Sequence, residues 1–271
     1  MDVPLRAMVR AANPRLRRIE LRPIETTRAQ EMDLSAIYLR AVRIWEAGRA
    51  EIVDAYGQEV ARVDGMIRDE AGRIRAVIEA LAGRVAVEMT IFDTLFGAWA
   101  NGVVSWHLRR IVGNLKYATN IDLGAYLTTG DAADTVEAAL ARNAALVRDV
   151  SEIARARISD AVFRGLQART PSRDVARQIS EATGLARKRA QRIASDQTMK
   201  LSAALDRQRL RQLGFDSVKW VHSGKLHYRP EHKARNGKVY KWTDPVMRTD
   251  PPGHAPFCGC HNVGVMSLGD N

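Results

Sequence analysis

The stretch 217–261 constrains the chain more than any other. It holds both cysteines, Cys258 and Cys260, and five of the six histidines: His222, His227, His232, His254 and His261. So short a segment cannot enclose a core of its own, and segments of this size lean on a bound ion or a neighbouring surface. Within it, Val218, Trp220 and His222 alternate with Lys219 and Val221, and residues 238–242 alternate again after a turn at Asn236 and Gly237. Prolines 245, 251, 252 and 256 then keep the chain in loops until Val263 to Met266. The pattern predicts a small α+β module with a short antiparallel sheet of two or three strands.

His254, Cys258 and Cys260 bring an imidazole and two thiols onto one loop, with Gly253 and Gly259 giving its backbone freedom to wrap an ion. Zinc takes four such donors in a tetrahedron, and His232, on the turn between the predicted strands, is the expected fourth. His261 and His222 stand in reserve. A closed four-ligand site would be structural, with no position left for water. The competing account is two reduced thiols beside surface histidines.

Upstream the texture is helical. Residues 1–25, basic and carrying Pro4, Pro14 and Pro23, read as an arm that is extended or ordered only against a partner. Thr26 or Thr27 caps a helix running through Ile37, Ile44, Trp45, Ile52 and Tyr56. A second stripe passes through Ile67, Ile74, Val77, Ile78 and Leu81. A third carries Met89, Phe92, Leu95, Phe96 and Trp99 on to His107, a cap or surface residue on this reading. Residues 113–131 read as loop and 132–168 as a long helix. Thr170-Pro171-Ser172 is a break, followed by a short helix ended by Gly184 and another from 185 to 213 stopped by Gly214. The expected organisation is an arm (1–25), a helical domain (26–170), a basic helical lead-in (171–214) and the small module (215–271). The fold class is α+β, mainly helical before its C-terminal sheet.

The 46% hydrophobic content excludes general disorder. A net charge of +11 points to a polyanionic partner. Two cysteines one residue apart make a strained disulfide, and the N-terminal residues lack the apolar run of a secretory leader, so reduced thiols are expected. The most apolar stretch, 85–106, is interrupted by Glu88, Asp93 and Asn101 and reads as a buried helix, with no membrane partner expected.

Three motifs in order resemble the Mu F-like, or phage head morphogenesis, minor head proteins of tailed bacteriophages, over residues 171–265. SRDVARQISEATGLARKRAQRIASDQTMKLSAALDRQRLRQLGF is similar to the family's helical lead-in, with its basic run before a "DQT" segment. VKWVHSGKLHYRPEHKARNGKVY is similar to its tryptophan strand and R-P-x-H turn, here Arg229, Pro230 and His232 with Gly237. PPGHAPFCGC is similar to its closing loop, here His254, Cys258 and Cys260. The family usually has an aspartate and an arginine where this chain has Lys225 and His227. The resemblance implies a non-enzymatic minor head protein of the virion, working in procapsid assembly and in DNA packaging or ejection. Its partners would be the portal, scaffold or major capsid proteins, met first in the host cytoplasm.

Residues 155–211 carry 14 Lys/Arg against five Asp/Glu. Arg187, Lys188, Arg189 and Arg192 fall within two helical turns, a candidate face for sequence-independent contact with double-stranded DNA. Two rivals stand against the capsid reading. One is a nuclease or toxin-like enzyme using His222, Lys225, His227 and Arg229, with Asp250 folding back to orient a base. The other is a helix-turn-helix regulator built on 172–197 with its turn at Gly184.

Overall fold

The computed structural model describes residues 4–61 and 72–269. Along the chain lie α1 (Leu5–Ala12), β1 (Arg18–Glu20), α2 (Arg28–Ala47), α3 (Arg49–Ala61), α4 (Gly72–Met89), α5 (Phe92–Thr119) and α6 (Ala133–Ala168). They are followed by α7 (Ser172–Gln212), β2 (Ser217–Val221), α8 (Pro230–Ala234), β3 (Val239–Lys241), α9 (Pro245–Thr249) and β4 (His261–Ser267). The class is α+β. Ile67 of the second predicted stripe lies outside the described residues. No helix among the described residues is long and apolar enough to cross a membrane.

Thr27 rather than Thr26 starts α2. Its Oγ1 accepts from the Gln30 N–H at 3.2 Å, while Gln30 Oε1 accepts from the Thr27 N–H at 2.8 Å, a reciprocal capping box. Two expected breaks are absent. The helix α5 runs through Gly113 and Asn114 to Thr119, so the loop begins about seven residues later than the glycine and asparagine signals suggested. The helix α7 runs unbroken for 41 residues through Gly184, which does not adopt positive φ. One glycine inside a helix costs only about 1 kcal/mol and does not end it without a left-handed cap. The turn that a helix-turn-helix would need at Gly184 is therefore missing.

The chain divides into two compact units that interleave in sequence. One gathers 1–31, 97–139 and 195–271, the other 32–96 and 140–194. The second is helical. Trp45, Ile52, Tyr56, Ile74 and Leu81 are fully buried in it. Its buried polar ends are matched: the Tyr38 hydroxyl donates to Asn143 Oδ1 at 2.6 Å and the Trp45 indole N–H to Ser151 Oγ at 3.0 Å.

The first unit holds a four-stranded antiparallel sheet in the order β1-β4-β2-β3. The strand β1 comes from the supposed arm: Arg18 pairs with Ser267 and Glu20 with Val265. Leu5 and Val9 of α1, one helical turn apart, are completely buried in the same core. The prolines hid an edge strand too short to show alternation. His107, expected at a helix end, lies in mid-helix with no exposed surface, its Nε2 2.9 Å from Asp206 Oδ1.

The sheet sits on the end of α7. Gly214, at φ +75, closes that helix with the Phe215 N–H on Leu210 O and the Gly214 N–H on Arg211 O, both at 2.9 Å, a Schellman cap. Gly264 of β4 rests directly on this cap. A Cβ there would come within 2.5 Å of Leu210 Cδ2 and 3.0 Å of Phe215 Cδ1. Leu210, Leu213 and Phe215 join Val218, Trp220 and Met266 in one core, so the small module borrows its interior from the helices.

Candidate metal centre

Arg229 is extended and Pro230 opens α8, the placement in which proline costs no hydrogen bond. The turn of α8 carries His232 inward until 2% of it is exposed, with its ring edge-on to Trp220 at 5.0 Å. Arg229 Nη2 donates to Pro256 O at 3.1 Å and ties this segment to the closing loop. On that loop Cys258 and Cys260 are both buried and reduced. Gly259 between them is required by space: a Cβ would come within 2.9 Å of Lys225 Cε and of Ser223 Cβ.

His232 Nδ1 lies 3.4 Å from Cys258 Sγ and 3.7 Å from Cys260 Sγ. A tetrahedral zinc with ordinary bond lengths sets imidazole nitrogen and thiolate sulfur about 3.6 Å apart, so these donors stand at the separations an ion requires. They form a group that can hold a metal. On the far side of the ring, Nε2 donates to Asp250 Oδ2 at 2.9 Å, and Arg235 Nη1 donates to the same oxygen at 2.8 Å. Burial opposes ionisation of Asp250, but the hydrogen bonds from Arg235 and His232 outweigh it and hold its carboxyl below the ordinary range. A proton on Nε2 leaves the Nδ1 lone pair facing the sulfurs, the carboxylate–histidine arrangement that orients metal ligands.

The two thiols share a proton unequally. The hydrogen bond from the Cys260 thiol, helped by backbone N–H groups of Cys260 and Gly253, pulls Cys258 down to about 5 against its burial. Donating that hydrogen bond, and then burial, push Cys260 up. These contacts favour loss of the proton from Cys258, and a thiolate is the form that binds a cation.

Of the four expected ligands, the fold brings together His232, Cys258 and Cys260. His254 does not join them: it is exposed, on a turn where its N–H bonds Pro251 O at 3.0 Å. Gly253 has φ +77 and packs against α7, where a Cβ would come within 2.4 Å of Ala203 Cβ, and His254 takes the solvent side. His261 and His222 stand outside the group as well. Asp250 was the residue sequence reasoning missed in this role, because nothing local ties it to His232.

Two of the four residues of the expected DNA face are paired with acids of their own unit. Arg187 makes a two-pronged pair with Glu46, at 3.0 and 2.5 Å, and Arg189 pairs with Asp149 at 2.7 Å. Lys188 is exposed, and Arg192 has a partner of its own. The acids that answer these arginines lie 141 and 40 residues away in sequence, beyond any local charge count.

A four-stranded sheet on a helix end, with an imidazole and two thiols gathered where β4 begins, makes a small α+β module with a candidate three-donor metal centre. Residues 156–263 match the family described as Phage Mu protein F like protein. An uncharacterized protein of Haemophilus influenzae is 31% identical over 172 residues, 62% of this chain and 38% of that relative. The chain therefore spans well under half of the relative's length. No solved structure matches it.

Proposed function

We propose that the protein is a minor head protein of a tailed bacteriophage, and that its C-terminal module is held by zinc. The observation that carries the reading is the His232–Cys258–Cys260 group lying inside the segment matched to the phage family. His232, Cys258 and Cys260 would hold the ion. Bound there, it would cross-link α8 to the closing loop of a module with little core of its own, and the three donors would leave a fourth position for water or another ligand. The rigid loops would then meet portal, scaffold or major capsid protein during assembly, and the protein would remain in the virion. Its role is assembly rather than catalysis. Asp250, the carboxylate a nuclease would need to orient a base, is committed to His232 and Arg235.

The test is to disrupt the gene in the phage that encodes it. The expected outcome is particles lacking this chain, with a loss of filled or infectious heads that the intact gene restores and a Cys258→Ser/Cys260→Ser gene does not. Heads of normal yield and infectivity without the protein would overturn the reading.

A further inference from the structure

On the sheet-bearing unit, the segment after β1 lies along α5 and encloses a polar cleft of about 300 Å³ lined by Arg22, Pro23, Ile24, Glu25, Arg110 and Asn114. The segment is pinned on both sides. The Leu21 N–H bonds Gly264 O in the sheet at 3.0 Å, and Asn114 Nδ2 donates to Arg22 O at 3.0 Å. Both arginines lie over aromatic rings, Arg22 closely and Arg110 at the outer limit of such a contact. The Arg22 guanidinium is 3.9 Å from the Tyr117 ring centroid, and that of Arg110 is 5.8 Å from the Trp106 centroid. Neither makes an ion pair among the described residues, in contrast to Arg187 and Arg189 on α7.

A guanidinium stacked on a ring keeps its N–H edge free, and that edge matches two oxygens of a phosphate. Stacking also restricts the long side chain beforehand, which reduces the ordering cost of binding. The cleft offers charge and amide groups, with Ile24 buried, so an apolar protein anchor or an acyl chain finds little to contact. Arg22 already covers a face of Tyr117, so that face is closed to base stacking and contact falls on the nucleic-acid backbone. Glu25 also lines the cleft and opposes an anion, leaving the pair of arginines in surplus.

We propose that this cleft seats the phosphodiester backbone of a nucleic acid, held by Arg22 and Arg110, and that the α7 cluster is not the contact. The inference rests on the head-protein reading only for the choice of duplex DNA as that nucleic acid.

The experiment measures anisotropy of a labelled random-sequence DNA duplex with the full-length protein across a salt series. Duplex RNA and vesicles of an anionic phospholipid serve as parallel arms. Arg22→Ala/Arg110→Ala should weaken duplex binding at least about tenfold at low salt and make the log–log salt slope shallower by about 2, one for each phosphate no longer neutralised. Arg187→Ala/Arg189→Ala should bind as the wild type does, and Glu25→Gln should bind tighter. Arg22→Lys/Arg110→Lys, which keeps the charge and loses the fork, should fall between. Arg22, Arg110 and Glu25 are exposed, so melting curves of their variants should match the wild type.

No duplex binding by the wild type, or an unchanged slope in Arg22→Ala/Arg110→Ala, would overturn the proposal. So would a loss confined to the vesicle arm, which would make the ligand a lipid headgroup. Equal binding of duplex RNA with the same slopes supports backbone recognition and leaves the choice of DNA to the head-protein reading. That reading stands or falls separately, on the particles made without the gene.

Discussion

Asp250 accepts the Nε2 proton of His232 at 2.9 Å, on the side of the imidazole opposite the two cysteine sulfurs. The hydrogen bond settles which nitrogen is free to bind an ion. Asp250→Asn should therefore weaken metal affinity by roughly 10- to 100-fold while leaving the three donors present. Competition against a chromophoric chelator measures this, and an unchanged affinity would separate Asp250 from the centre.

The continuity of α7 gives a second expectation. Gly184 has no atom within 4 Å of where its Cβ would stand. Gly184→Ala should stabilise the protein by up to about 1 kcal/mol, and Gly184→Pro should cost about 3 kcal/mol or more by removing a hydrogen bond in mid-helix. Denaturant unfolding tests both. A neutral proline variant would mean that the helix is broken there after all.

The N-terminal segment belongs to the core of its unit. Leu5 is completely buried with Val9, Leu213 and Phe215 among the residues of that cluster. Leu5→Ala should cost about 2–5 kcal/mol, as a large-to-small change in a packed interior does. An arm ordered only by a partner would show no loss in the isolated protein.

Glu20 links strands on either side of β4. The hydrogen bond from Lys219, with further help from Arg18 at 2.8 Å, outweighs burial and holds its carboxyl below the ordinary range. The folded state thus binds its proton less readily than the unfolded chain. The pair's contribution is present above the ordinary glutamate pKa of about 4.3 and is lost as pH falls through the lower folded value. About a third of each side chain is exposed, so the contribution should be under about 1 kcal/mol. Stability curves of wild type and Glu20→Gln should differ by that amount at neutral pH and converge near pH 3 or below. A gap that widened in acid would reverse the assignment.

The residues carrying local chemistry were legible in the sequence. Alternation at Val218 and Trp220 gave a strand, the Asn236–Gly237 turn gave its hairpin partner, and ligand type together with a place on the turn between the strands brought His232 to Cys258 and Cys260. What depended on distant pairing was hidden. The strand β1 exists only because Arg18, Ile19 and Glu20 find Ser267, Met266 and Val265 at the other end of the chain. Arg187 likewise finds Glu46 from another helix, so part of a run that looked like an anion-binding face is paired within the protein. His254 had the right chemistry and spacing. A backbone turn at Gly253, set by close packing on Ala203, sent it outward.

Elemental analysis of the purified full-length chain and its variants tests the metal centre most directly. The expected result is a single zinc per chain, retained in His254→Ala, lost in Cys258→Ser and Cys260→Ser, and weakened in His232→Ala. Zinc absent from the wild type under reducing, chelator-free purification, or bound equally well by Cys258→Ser, would contradict it.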